Sequence, residues 1–275
     1  MKDIDSLYQN LKSDIEKMEN ESLQWRLFLN FRKKVHNYSF LNTLFIYWQR
    51  PNATLVMGFN QWNRIGRHVK KNEKGTAILA PMLYKVRPSD PSEEVRTVLK
   101  GFKTAYVFDI SQTDGDESKI PVVSKGLDIK IDELLYTKLK DAFGKYVEIT
   151  ENVGNNLGTK GYMLSSNGRA LSIAVNPNYS VSQKIKTLSH EMSHFFDSEN
   201  PGFAHLSNQD KEFVAESSAY MFLDFLGIDV SDYSLPYIKS WIKDDMAVFA
   251  KLAGRVENVY SKLIESCDNL IEEVS

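Results

Sequence analysis

The stretch of this 275-residue sequence with the clearest chemistry is His190-Glu191-Met192-Ser193-His194. It has the form HExxH and lies within an apolar repeat, Ile185, Leu188, Met192, Phe195 and Phe196, whose spacing predicts a helix. On a helix, side chains at i and i+4 leave the same face about 5–6 Å apart. Two imidazoles so placed can reach a single Zn²⁺ ion, which favours tetrahedral nitrogen and oxygen ligands. Glu191 follows on the adjoining edge. There it can act as the catalytic base, taking a proton from a metal-bound water whose pKa the ion lowers toward about 7 and passing it to a leaving amine.

A third ligand is sought on the next predicted helix, Asp210–Leu226, where Glu216 sits among the core-type residues Phe213, Ala219 and Tyr220. A carboxylate in such surroundings needs a counter-charge, and a metal ion is one. The 21 residues between His194 and Glu216 leave room for a turn and a returning helix, which gives a gluzincin-like His₂Glu set. Glu212, one turn earlier, is the competing ligand, and Glu216 is preferred. Asp197 is either a partner for a ligand imidazole or an exposed acid at a helix end, and Tyr220 either polarises a substrate carbonyl or packs in the core. The single cysteine, Cys267, excludes an internal disulfide and a cysteine-based metal site.

These residues need elements to hold them. Helical spacing is legible at Ile4, Leu7, Leu11 and Ile15, at Leu23, Leu27 and Phe31, and over Phe40–Trp48, where Pro51 ends the run. Short strand-like pieces follow at Thr54–Met57, Thr76–Ala80, Met82–Val86 and Lys103–Ile110. The polar stretch Ser111–Ser118, then Pro121, has no apolar periodicity and is read as a linker. Beyond it, a helix over Asp132–Phe143 and strands at Tyr146–Thr150, Gly161–Leu164 and Ala170–Val175 precede a helical remainder, with helices over Ser182–Phe196, Asp210–Leu226 and from Tyr233 to the end. The expected class is α+β in two domains, residues 1–124 and 125–275. No run approaches about 18 apolar residues and the start lacks the layout of a secretion signal, so a cytoplasmic protein without a membrane partner is expected.

A formal charge of -2 conceals a strong asymmetry. From Ser22 to Arg87 there are twelve Lys or Arg against one acid, Glu73, so this segment carries +11 and the rest of the chain -13. Aromatic residues are interleaved with these cations, including Trp25, Trp48, Phe59 and Trp62. Cations that follow phosphates and rings that stack on unpaired bases together suit single-stranded DNA. The candidate contacts are Arg32, Lys33, Lys34, Trp48, Trp62, Arg64, Arg67, Lys70, Lys71 and Lys74. A solvated charged face with its aromatics in the core is the competing interpretation.

Longer patterns now stand out: Asn37-Tyr-Ser-Phe-Leu-Asn42, Trp48-Gln-Arg-Pro51-Asn-Ala-Thr54, Gly58-Phe-Asn-Gln-Trp62, Gly66-Arg-His-Val69 and Lys74-Gly75. With Val107–Gly115, Ala215–Tyr220 and Ser234–Trp241 they resemble the antirestriction ArdC family over about residues 5–245. The resemblance implies a single-stranded DNA-binding domain followed by a zincin-like metallopeptidase domain, on a mobile genetic element that it protects from host restriction. It also implies His190, His194 and Glu216 as zinc ligands, Glu191 as the base, and a protein or peptide substrate of unknown identity. Two other functions fit the same pattern: a protective DNA-binding module whose zinc domain is structural and inactive, and a DNA-responsive protease that cleaves a repressor.

Overall fold

The computed structural model describes residues 4–17, 21–35, 37–86, 96–120, 130–154, 158–166, 169–228, 230, 246–268 and 270. Helices and strands are mixed throughout, and the chain divides into two compact units, Met1–Glu19 with Asn30–Val123, and Asn20–Leu29 with Ser124–Ser275. None of the described helices is long and apolar enough to cross a membrane.

The first unit opens with α1 (Ile4–Glu16), whose Leu7, Leu11 and Ile15 form the buried stripe that their spacing predicts. α2 (Glu21–Lys34) follows, and its residues to Leu29 group with the second unit. α3 (Phe40–Gln49) is capped by Ser39, which accepts from the Asn42 amide at 3.4 Å. Its Phe40, Leu44, Phe45 and Ile46 are almost fully buried. An antiparallel sheet of order β1-β4-β3 comes next, built from β1 (Val56–Gly58), β3 (Thr76–Val86) and β4 (Arg96–Asp109).

β3 was expected to break at Pro81 but runs straight through it, paired with Phe102. The reason is its place at the edge of the sheet, where a missing N–H costs nothing if it points outward. Alternate residues of β3 turn away from β4. At Ala77 the outward amide and carbonyl bond the side chain of Gln49 (3.0 and 2.8 Å), and at Leu79 they bond that of Asn42 (2.9 and 2.8 Å). Pro81 occupies the next outward position.

Between β1 and β3 lie two elements that periodicity did not reveal, α4 (Phe59–Arg64) and β2 (Arg67–Val69). β2 pairs with β5 (Thr113–Gly115), which falls inside the presumed linker. That expectation is corrected: Gln112 and Thr113 are buried, and Gln112 bonds the Asp109 amide, Glu73 and the Lys74 carbonyl. Hydrogen bonds to distant partners hold this stretch in place of apolar packing, so it shows no hydrophobic period.

The second unit places α5 (Glu133–Phe143), capped by Asp132, ahead of a sheet of order β6-β8-β7. β6 (Glu148–Thr150) runs parallel to β8 (Arg169–Val175), and β7 (Gly161–Ser166) runs antiparallel to it. Among the described residues three helices complete the unit: α6 (Val181–Ser198), α7 (Asn208–Phe225) and α8 (Met246–Ser266). Leu188, Met192, Phe196, Phe213, Phe222, Phe249 and Leu263 form their shared core, each at most 2% exposed. β7 comes so close to α6 that a Cβ on Gly161 would stand 2.6 Å from both the Ala174 carbonyl oxygen and Thr187 Cγ2. Of the helical region expected from Tyr233 to the end, residues 233–245 lie outside the described residues.

Candidate functional site

α6 begins at Ser180, whose hydroxyl accepts from the Gln183 amide, and carries His190, Glu191 and His194 in its last three turns. Its buried face, Ile185, Leu188, Met192 and Phe196, fixes the roll of the helix, so both imidazoles face the same way. Their Nε2 atoms are 3.1 Å apart. α7 packs alongside and brings Glu212, with Oε2 3.4 Å from His190 Nε2 and Oε1 3.3 Å from His194 Nε2. A tetrahedral ion with bonds of about 2.0–2.1 Å has ligand-to-ligand edges of about 3.3–3.4 Å, so the spacing of this donor set fits a divalent metal.

Glu216 is not in that cluster, which consists of His190, His194 and Glu212. This departs from the sequence expectation, for a physical reason: both carboxylates lie on one face of α7, and the one nearer the helix start meets both Nε2 atoms. Glu216 instead lines a cleft of about 690 Å³ with His190 and Glu191. From His190 the cleft follows α6 back past Lys186 and Gln183, and Lys160 stands in its wall. The placement of Lys186 was legible in its spacing of four from His190, whereas nothing in the sequence pointed to Lys160.

The three carboxyls differ electrostatically. Hydrogen bonds from His190 and His194 hold Glu212 well below the usual carboxylate range. Burial pushes Glu191 up, against the pull of the two imidazoles and of a hydrogen bond donated by the Met163 backbone amide on β7. Burial also pushes Glu216 up, to about 7. In the metal-free protein the folded state therefore keeps the Glu216 proton that the unfolded chain releases near 4.5, and stability falls as pH rises from about 4.5 to about 7. In chelator-treated protein, Glu216→Gln should gain on wild type by roughly 1–2 kcal/mol between pH 4.5 and 7.5, allowing for solvent screening at a half-buried group. Urea unfolding at the two pH values measures this, and a difference that stays constant excludes it.

Two neighbouring residues are structural. Asp197 is fully buried and receives Arg255 Nε at 2.8 Å, so it ties α6 to α8 and does not orient a ligand imidazole. Tyr220 is buried in the core face of α7.

In the first unit, three of the presumed DNA contacts are corrected. Trp62 is fully buried and donates from Nε1 to the Phe108 carbonyl at 2.9 Å, which leaves no ring face for a base. Arg67 is buried against Thr113 Oγ1, the Thr113 carbonyl and the Gly115 carbonyl. Arg32 is buried against Thr43 Oγ1 and the Tyr38 carbonyl. All three guanidinium or indole groups are used to hold the fold. Arg64, Lys70, Lys71 and Lys74 are exposed around α4 and the turn from β2 to β3, with Lys70 leaning on the Ser111 carbonyl and Asp114. Trp48 is half-buried, edge-on to Tyr47, and the side chains of Lys33 and Lys34 lie outside the described residues.

Residues 4–121 match the family model of the N-terminal domain of anti-restriction factor ArdC. Residues 4–121 therefore belong to the family of ArdC N-terminal domains. Two crystal structures of the antirestriction ArdC protein from plasmid R388 share its fold. The metal-free one is 18% identical with a TM-score of 0.63, covering 97% of this chain and 99% of that chain. The Mn(II)-bound one is 19% identical with a TM-score of 0.54, covering 84% and 90%. Among curated proteins, Bacillus anthracis pXO2-81, named as uncharacterized, is 25% identical over 301 residues that take in 95% of this chain. The chain spans 51% of that relative, about half its length.

Proposed function

We propose that this protein is an ArdC-family antirestriction factor of a mobile genetic element, combining a single-stranded DNA-binding domain, ending near residue 124, with a zincin-like, divalent-metal-dependent peptidase domain. The observation that carries the enzymatic half is the convergence of His190 Nε2, His194 Nε2 and the Glu212 carboxylate, with Glu191 on the cleft beside them. His190 and His194 would hold the ion with a carboxylate from α7, where Glu212 is in position and Glu216 stands one turn further along. Two imidazoles and a carboxylate suit Zn²⁺, the expectation from the motif, and also Mn²⁺, the ion in the R388 relative. When bound, the ion would polarise a peptide carbonyl and acidify water. Glu191, its carboxyl raised by burial and oriented by the Met163 amide, accepts the proton of the attacking water and delivers it to the leaving nitrogen. β7, at the edge of its sheet beside Glu191, offers an extended peptide a strand to align with. The test is cleavage of a peptide mixture by metal-loaded wild type compared with Glu191→Gln.

For the DNA-binding half, the exposed cations Arg64, Lys70, Lys71 and Lys74 are the proposed phosphate contacts, and the plasmid setting of the relatives supports this reading. Four such contacts predict that log affinity for an oligo-dT strand falls with log salt at a slope of about -2.8. Reversing Lys71 and Lys74 to Glu should bring the slope to about -1.4 or shallower. A wild-type plot without slope would remove DNA from the function.

A further inference from the structure

The cleft beside His190 has an electrostatic asymmetry that metal binding does not use. Its metal end carries Glu191 and Glu216, with Glu212 at the imidazoles. Further along α6 the acids stop, and the wall consists of Lys186, Lys160 and the neutral polar groups of Gln183, Ser182 and Thr159. Lys186 lies one helical turn before His190 on the same face and is half-buried. Among the described residues neither Lys160 nor Lys186 has an ion-pair partner, whereas Lys184, on the same helix as Lys186 but outside the cleft lining, is neutralised by Glu133 at 3.1 Å. Two uncompensated ammonium groups therefore border a concave, polar space that opens onto the candidate catalytic glutamate.

We propose that Lys160 and Lys186 form a subsite for a carboxylate side chain, so that the peptides accepted carry Asp or Glu within a few residues of the bond that is cut. This rests on the peptidase reading of the metal centre and names its substrate class. A peptide can place one negative charge at the lysines and a neutral amide at the metal end. A nucleic-acid strand would have to carry its phosphates past Glu191, Glu216 and Glu212, and long-range repulsion from the remainder of the chain, at -13 outside residues 22–87, opposes it further. Charge complementarity thus favours the acidic peptide over the polyanion.

The test uses the full chain with Glu191→Gln, loaded with Zn²⁺ or Mn²⁺, and fluorescein-labelled hexapeptides that differ only in Asp, Asn or Lys at a scanned position. Anisotropy should show the Asp peptide binding about tenfold more tightly than the Asn peptide at low salt, with the preference shrinking at high salt. Adding Lys160→Glu and Lys186→Glu should turn the preference toward the Lys peptide. Equal affinity of the three peptides overturns the proposal. So does displacement of the Asp peptide by oligo-dT that is lost with Lys186→Glu, because the occupant is then a phosphate chain. Metal-loaded wild type on a peptide mixture separates the two claims. Cleavage sites enriched in nearby acids support both, and cleavage with no acidic preference overturns the subsite while keeping the peptidase. Binding preference without any cleavage keeps the subsite and removes the peptidase.

Discussion

Replacing His194 by Ala should abolish metal loading, while Glu191→Gln should keep the metal and lose hydrolysis. The asymmetry follows from geometry. His194 Nε2 is one of the atoms at the corners of the donor set, 3.1 Å from His190 Nε2 and 3.3 Å from Glu212, so its removal takes away a bond that no neighbouring group in the cluster supplies. Loss of groups that merely orient ligands already costs about 10–100-fold in metal affinity, and loss of a ligand should cost more. Glu191 is outside the cluster. Its amide analogue preserves shape and the Met163 contact but cannot accept a proton at neutral pH, and removal of a general base costs about 10²–10⁴-fold in rate. Elemental analysis of dialysed protein and a peptide-release assay measure the two effects. Metal retained at full stoichiometry by His194→Ala would end the metal-centre reading, and undiminished cleavage by Glu191→Gln would end the mechanism. The same experiment apportions the α7 carboxylates. Each single Gln substitution at Glu212 or Glu216 should weaken metal binding less than the double, because they stand one turn apart at one site, and the more damaging single marks the principal ligand.

The second large effect is expected at Arg255. Its Nε bonds Asp197 Oδ1 at 2.8 Å, its Nη2 bonds the Asp197 carbonyl at 3.1 Å and its Nη1 bonds the Pro201 carbonyl at 2.8 Å. Asp197 is wholly buried, and among the described residues its Oδ2 has no hydrogen-bond partner. Arg255→Ala therefore strands a carboxylate without its counter-charge, which costs about 3–5 kcal/mol. For a unit of this size that corresponds to a drop in melting temperature of roughly 10 °C or more. Because Asp197 is three residues beyond His194 on α6, metal affinity should fall with it. Pairing Arg255→Ala with Asp197→Asn should recover part of the loss, since the isolated charge is then gone. A melting temperature unchanged by Arg255→Ala would show that the pair contributes little.

Much of the second unit was legible because its helices bury apolar faces, and apolar spacing is what a sequence displays most directly. Placing HExxH on α6 and the candidate carboxylate ligands on α7 needed only that period. Choosing between Glu212 and Glu216 did not follow from it: both share a face, and the core-like neighbours of Glu216 say only that it is partly buried, not that it meets the imidazoles. The basic unit is less legible. Arg32 and Arg67 count as cations in any composition, yet each ends among carbonyl and hydroxyl oxygens, and those that hold Arg67 lie 46 to 48 residues away. The ring of Trp62 suggests stacking on a base, but its N–H has a distant carbonyl, that of Phe108, to satisfy. Polar residues satisfied over long sequence distances leave no local signature, which is also why β5 passed for a linker.

The rim of β3 carries a consequence for how copies of this protein meet one another. A strand at the margin of a sheet is a template on which another chain can crystallise into a growing ribbon. Here two carboxamides mimic the missing neighbour at Ala77 and Leu79, and an imino acid, Pro81, withholds the next donor. A newcomer finds the hooks at Ala77 and Leu79 taken and the donor at Pro81 absent, so resistance to run-on stacking there depends on three uncharged residues and not on repulsion between like charges.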